Sequence, residues 1–205
     1  MGDGTKLTVG TSGGGVLLRL YAALPVTQPA AGRARDWAER LAAGVPDAQV
    51  ADEHDLHVTF GFLGDVAEEY VPAVASALDA AAFSVPGPTS CTVDGVEPFG
   101  GGRVLGATID VDLHAVLDSA RDRFIDSVRP YAPHVDQRAW RPHLSLVRVP
   151  RGTALPNVRG AAALPDERIG WIAPELRLYA SLPAPGGSVH RVLHAVPLGT
   201  PALQD

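Results

Sequence analysis

The chain has 205 residues, 46% hydrophobic and 20% charged, with a formal net charge of -6, the profile of a soluble globular protein with a sizeable core. The acidic balance excludes a protein that coats long nucleic acid by charge alone, and no apolar run approaches the ~18 residues of a membrane span. The lone cysteine, Cys91, excludes an intramolecular disulfide and a cysteine-rich metal site.

Residues 1–15 are glycine-rich without apolar periodicity and read as a flexible tail. They carry no signal-peptide pattern, because Arg19 breaks the short Val16-Leu17-Leu18 run, so a cytoplasmic location is expected. Residues 16–205 are expected to form one bilobal domain. Val16 to Leu24 predicts a strand closed by Pro25. Residues 33–43 predict a short helix with Trp37 and Leu41 on one face and Gly44 just past its end. A second strand spans about 55–63 and ends at Gly64-Asp65. Asp65 is placed to cap the next helix, with Glu68 completing a capping box, and Val66, Tyr70, Val74, Leu78 and Ala81 form its stripe.

After the break at Pro86-Gly87-Pro88, residues 89–97 predict a strand running into the turn Pro98 to Gly102. Residues 103–111 alternate as a strand with Leu105, Ala107, Ile109 and Val111 on one face. Asp112 can cap a helix through Val128, with Leu113, Val116, Leu117, Ala120 and Phe124 on its apolar side. A strand at 142–149 and a loop at 151–167 follow. Residues 168–182 and 189–198 predict a closing hairpin.

Two stretches organise this series: Leu56-His57-Val58-Thr59-Phe60-Gly61-Phe62-Leu63-Gly64 and Pro142-His143-Leu144-Ser145-Leu146-Val147-Arg148-Val149. Both carry His-x-(Thr/Ser) inside a strand, where residues two apart share a face. His57 and Thr59 then face one way, with Val58, Phe60 and Phe62 opposite; His143 and Ser145 face away from Leu144 and Leu146. The tripeptide alone is unspecific: with 7 histidines, chance gives roughly 0.65 matches. Its position carries the weight. Each histidine closes a strand–helix–strand unit, one begun at Val16 and one at Val104, with nearly equal separation. That regularity indicates a duplication. Two copies about a pseudo-twofold axis bring the histidine faces together across a cleft. The expected class is α+β: bilobal, with mostly antiparallel sheets lining the cleft and helices outside.

These residues resemble the 2H phosphoesterases, most closely the 2′-5′ RNA ligase-like cyclic phosphodiesterases. Those proteins carry two His-x-(Thr/Ser) motifs in a bilobal fold. Phe62-Leu63-Gly64, Pro142 and Arg148 match the motif flanks. Phe60 stands where leucine is usual and Ser145 where threonine is commoner. Gly61 replaces a larger or basic residue, which bears on the substrate.

The resemblance implies a phosphodiesterase that opens 2′,3′-cyclic phosphates of RNA ends or small cyclic nucleotides to 2′-phosphates, with reversible 2′-5′ ligation open to the same residues. His57 and His143 would be acid and base, because imidazole titrates near neutrality. Thr59 and Ser145 would donate hydroxyl hydrogen bonds to the phosphoryl oxygens. The 2′-phosphate product makes His57 the acid and His143 the base. Arg148 is a candidate phosphate contact. Arg141, with Arg138 and Arg151, flanks the strand as a basic rim, and Tyr21 or Trp140 could stack on a base. No metal, other cofactor or membrane partner is implied, and a monomer is expected.

Two rivals stand beside this reading. A metallohydrolase is disfavoured because His54 and His57 would face oppositely on a strand, and His190 and His194 lie roughly 13 Å apart along one. A non-catalytic nucleotide- or phosphate-binding module on the same fold predicts binding without turnover.

Overall fold

The structure, a computed structural model, describes residues 11, 12, 15–153, 155, 165, 167–184 and 187–199. Most of the expected tail 1–15, and most of the loop 151–167 beyond Thr153, lie outside the described residues. The elements in chain order are β1 (Thr11–Ser12), β2 (Gly15–Pro25), α1 (Ala30–Ala42), β3 (Gln49–Val50), β4 (His57–Ala67), α2 (Val71–Phe83), β5 (Thr89–Phe99), β6 (Val104–Val111), α3 (His114–Val128), β7 (His143–Arg148), β8 (Gly170–Ala173), β9 (Glu175–Ala184) and β10 (Gly187–Pro197). The strands lie in the order β10-β9-β2-β4-β7-β6-β5-β8, with β1 on β2 and β3 on β7. Every described pairing is antiparallel.

That order reads the same from both ends. β4 and β7 sit at the centre, β2 and β6 flank them, β9 and β5 come next, and β10 and β8 form the edges. The pseudo-twofold axis passes between β4 and β7, where Val58 pairs with Leu144. Helices α1 and α3 each connect an inner strand to a central one. The last two strands return to the first lobe, so the α+β duplicated fold expected from the sequence is the fold observed.

One face of the sheet holds the main core. Leu20, Ala22 and Leu24 of β2, Val58, Phe60 and Leu63 of β4, and Leu105 and Ala107 of β6 pack there with Trp37 of α1, Leu78 of α2 and Phe124 of α3. The other face carries a separate small cluster: Tyr21 and Ala23 of β2 with Tyr179 of β9, against which Phe62 packs.

The central strands share few residues before they part, and their freed backbone groups find other partners. A buried carbonyl without a partner is costly. On β4, the Trp140 indole donates to the Thr59 carbonyl at 2.8 Å, Arg121 Nε donates to the Phe60 carbonyl at 2.8 Å, and the Asp136 amide donates to the Phe62 carbonyl at 2.9 Å. On β7, the Ala51 amide donates to the Leu146 carbonyl at 2.9 Å, and β3 pairs with Val147 and Arg148. Two lobes therefore diverge from one join without leaving raw edges.

The structure corrects four local expectations. β4 runs on to Ala67, so Asp65 lies in a strand and caps nothing; α2 begins at Val71, where Pro72 fits the first turn. Val74, Leu78 and Ala81 of the stripe are buried in α2, Val66 is buried from β4, and Tyr70 is exposed. Asp112 does not cap α3. The amide of the N-cap residue, Leu113, donates instead to Thr89 Oγ1 at 3.4 Å, and Val116 is exposed. The stretch 168–182 is two strands, since β8 pairs with β5 while β9 pairs with β2; Pro174, lacking an amide hydrogen, falls between them. Among the described residues, no helix is long and apolar enough to cross a membrane.

Arg121 is 5% exposed and also donates to the Asp136 carbonyl at 3.1 Å. Arg121→Leu removes the donor from two carbonyls and should lower stability by about 2–4 kcal/mol. Asp122→Asn, on the exposed side of the same helix, should stay within about 0.5 kcal/mol. Urea denaturation of the two variants checks this; equal midpoints would show that Arg121 is not the strut described.

Candidate active site

In an antiparallel ladder, the residues on either side of a paired couple also oppose one another. The Val58–Leu144 pair thus sets His57 across from Ser145 and Thr59 across from His143. Val58 and Leu144 are fully buried in the core, so these four side chains stand on the other face. They form a quadrilateral with an imidazole at each end of one diagonal and a hydroxyl at each end of the other. Diagonal neighbours in such a ladder are about 7–8 Å apart, a span suited to holding a tetrahedral phosphate between two imidazoles.

Both imidazoles are fixed in the same way. His57 Nδ1 lies 2.6 Å from the Asp55 carbonyl oxygen and His143 Nδ1 lies 2.7 Å from the Arg141 carbonyl oxygen. A carbonyl only accepts, so Nδ1 carries the proton and donates it. Nε2 is left as the nitrogen of each ring that is free to accept a proton.

Their surroundings differ. His57 stacks on Tyr21 at 4.7 Å between ring centroids, with Tyr179 at 6.0 Å and His190 at 5.8 Å. Burial pushes its pKa down to about 4, against the pull of the Asp55 carbonyl, and the positive neighbours His190, His143 and Arg148 push the same way. At neutral pH His57 is therefore uncharged in the free chain. His143 lies flat on Phe99, 4.2 Å between centroids and 11° between planes. Gly106 makes that stack possible: a Cβ there would stand 2.7 Å from Phe99 Cδ2 and 3.0 Å from the Leu144 carbonyl oxygen.

Each central strand then departs from simple alternation. Ala23 pairs with Thr59 but Ala22 with Gly61, so Phe60 is an extra residue. Gly106 pairs with Ser145 but Leu105 with Val147, so Leu146 is extra. Both bulges fall three residues after the histidine and turn the strand over. Phe62 consequently joins Tyr21 and Tyr179 rather than the core, and Leu63 takes the core position; the expected core placement of Phe62 is corrected. The equivalent residue on β7 is Arg148. It is exposed and close enough to depress the His57 pKa. Gly61 points at α3, where a Cβ would meet Phe124 and Ile125 at 3.2 Å. Glycine there is a packing requirement of the helix.

A cleft of about 620 Å³ opens beside His143, Ser145 and Thr59, walled by Pro98 to Gly102, Arg138 to Arg141 and Phe62. The other sequence candidates fall as follows. Tyr21 is buried beneath His57, and burial, with Tyr179 beside it, drives its pKa far up. Trp140 borders the cleft, but its indole is held by the Thr59 carbonyl and by His114 and Phe60. Arg141 pairs with Glu97 and lies over Phe99. Arg138 is paired with Asp136. Among the described residues, no three His, Cys, Asp or Glu side chains are grouped to hold a metal ion.

Sequence reasoning missed Phe99, Gly106, Tyr179, His190 and Arg121. Phe99 and Gly106 sat in segments read as a turn and a strand. Tyr179 and His190 come from the far end of the chain, where nothing local links them to a motif.

The family model of the 2′-5′ RNA ligase superfamily matches residues 27–182. The fold is similar to that of E. coli LigT complexed with NADP+, with TM-score 0.66 and 20% identity over 90% of this chain and 99% of that one. TT0787 of Thermus thermophilus gives TM-score 0.66 and 23% identity over 88% and 98%. A crystal structure described as a phosphoesterase gives 0.61 and 21% over 89% and 99%. A search of the curated proteins finds no match.

The low His57 pKa has a consequence for stability. Between its folded value of about 4 and the ordinary value near 6.5, the unfolded chain binds a proton that the folded chain does not, so stability falls as pH falls through this window. His57→Gln removes that contribution. The native chain should lose up to roughly 3 kcal/mol relative to the variant between pH 7 and pH 4. Chemical denaturation across this range tests it; parallel curves would show that the ring is not held neutral.

Proposed function

The chain belongs to the 2′-5′ RNA ligase superfamily, within the 2H phosphoesterases, and on that premise we propose that it is a metal-independent phosphodiesterase that opens 2′,3′-cyclic phosphates of RNA ends or small nucleotides. The observation that supports this most is the quadrilateral around the Val58–Leu144 pair, with both histidines locked by carbonyls in the same tautomer. Hydrolysis of a phosphodiester needs a base for the nucleophile, an acid for the leaving oxygen and donors for the phosphoryl oxygens. Two Nε2 atoms on one diagonal supply the first two. Thr59 and Ser145 on the other supply hydroxyl donors, and Arg148 adds a cation on the same face. That E. coli LigT has been crystallised with phosphate, ATP and 3′-AMP supports a ligand of this class.

Each component has an expected weight. His57→Ala and His143→Ala should each lower turnover of a nucleoside 2′,3′-cyclic monophosphate by about 10²–10⁴-fold. Thr59→Val and Ser145→Ala should each cost about 10²-fold through loss of a phosphoryl donor. Native turnover should be unchanged by EDTA. Rates measured with and without chelator decide the matter. Activity that disappears in EDTA would sink the metal-independent mechanism, and a native chain that binds the nucleotide without turning it over would be a binding module.

A further inference from the structure

Each motif imidazole lies against an aromatic ring, but the two rings come from places that the pseudo-symmetry does not relate. For His57 the ring is Tyr21 of β2, at 4.7 Å between centroids. Tyr21 pairs with Phe62 of β4, and Val104 of β6 pairs with Arg148 of β7. Phe62 and Arg148 hold equivalent places, so Val104 is the counterpart of Tyr21, and valine brings no ring. The ring for His143 comes from one strand further out. Phe99 of β5 pairs with Val104 and stacks on the imidazole at 4.2 Å, with 11° between planes. Its room is made at Gly106, the counterpart of Ala23, since these two pair with Ser145 and Thr59. An alanine there, as in the first lobe, would set its Cβ 2.7 Å from the Phe99 ring. Two residues unrelated by the duplication thus meet one demand.

We propose that Phe99 is a positioning residue for His143: its ring holds the plane of the imidazole so that Nε2 keeps one direction into the site, and Gly106 is the notch that admits it. The inference rests on the phosphodiesterase reading for its kinetic consequence and on geometry alone for the placement. The bond from His143 Nδ1 to the Arg141 carbonyl fixes one atom of the ring, while the Cβ–Cγ torsion of histidine has a broad minimum. A flat ring against one face removes the tilt that remains. Proton transfer at a phosphate demands this, because small errors in the direction of a reacting group cost rate heavily.

Phe99 is itself held. Its carbonyl accepts the amides of Gly102 and Arg103 at 3.1 and 3.2 Å, which anchors its backbone at the turn from β5 to β6. The Arg141 guanidinium lies over its ring, 5.4 Å from the centroid, and pairs with Glu97, two residues before Phe99 on β5. Arg141 therefore acts on His143 twice, through its carbonyl at Nδ1 and through its guanidinium on the ring against which the imidazole lies.

Steady-state kinetics on a nucleoside 2′,3′-cyclic monophosphate and proton resonances of the histidine rings test the role together. Phe99→Leu should lower kcat by about 10- to 10²-fold and change KM by less than about twofold, because a residue that acts only on ring orientation removes no ground-state binding. Phe99→Tyr, which keeps the ring, should restore the native kcat. Gly106→Ala should reproduce the leucine defect with Phe99 still present. A raised KM at unchanged kcat would overturn the proposal and make Phe99 a nucleotide contact, and equal loss in the leucine and tyrosine variants would overturn it too. The placement is read without turnover. A stacked ring shields the His143 ring protons, so they should move downfield in Phe99→Leu while those of His57 stay in place; unmoved His143 protons would overturn it. The native chain alone should show nuclear Overhauser contacts between the two rings, and their absence is equally decisive whether or not the variants fold. A native chain that shows these contacts but turns over no cyclic nucleotide would overturn the phosphodiesterase reading and leave the placement standing.

Discussion

One antiparallel couple, Val58 with Leu144, carries the rest of the structure. Below it both side chains are sealed in the core, where the hydrophobic effect fixes the register strongly. A slip of one residue would bury two imidazoles and two hydroxyls and expose the aliphatic set. Above it the four polar side chains have no freedom over which face they occupy. The pairing must also be short. Were β4 and β7 zipped along their length, the lobes would form one continuous surface and no cleft would open. Trp140, Arg121, the Asp136 amide and β3 take over the freed backbone groups, and the divergence follows from that substitution of partners.

The chemistry inherits this economy. A histidine used for proton transfer needs a defined tautomer, and here the strand entry itself supplies it: the carbonyl two residues before each ring receives Nδ1–H. The same local geometry occurs twice because the same unit occurs twice. What differs is the material brought against each ring. β9 and β10 lay Tyr179 and His190 over the first, whereas β5 lays Phe99 under the second and leaves its outer side open. Duplication gives two equivalently held imidazoles, and the flanking strands make them unequal.

The sequence carried the parts of this that alternation and spacing encode. Period-two patterning set His57 with Thr59 and His143 with Ser145, and the repeated interval between strand and histidine exposed the pseudo-symmetry. It failed where one residue changes the count. Arg148 lies five positions after His143, which strict alternation assigns to the opposite face. The extra Leu146 brings it round, as the extra Phe60 brings Phe62 round. A bulge is decided by pairing with the neighbouring strand, and nothing in either tripeptide announces it. Asp65 failed for a related reason. Its pattern with Glu68 is a sound local helix start, but the pairing of Leu17 to Arg19 with residues 65–67 keeps the chain extended there. Trp140 stands beside the motif and borders the cleft, with its polar edge given to an otherwise unpaired carbonyl.

The charges around the cleft bear on how an acidic chain would receive the phosphate of the proposed substrate. Three arginines line it, and each is committed: Arg121 to the Phe60 and Asp136 carbonyls, Arg138 to the Asp136 carboxylate, Arg141 to Glu97. Arg138 and Arg141 are neutralised by carboxylates, and Arg121 has Asp122 at 3.6 Å besides its carbonyls, so with a net charge of -6 the rim offers scant long-range attraction to a polyanion. Arg148 is different. It has no ion pair among the described residues, and it stands near enough for its field to weigh against protonating His57. A single phosphoryl group bound there would relieve that repulsion and gain both hydroxyls at once. In the proposed reaction, affinity would thereby be concentrated on one phosphate at the point of reaction, which is where binding energy lowers a barrier.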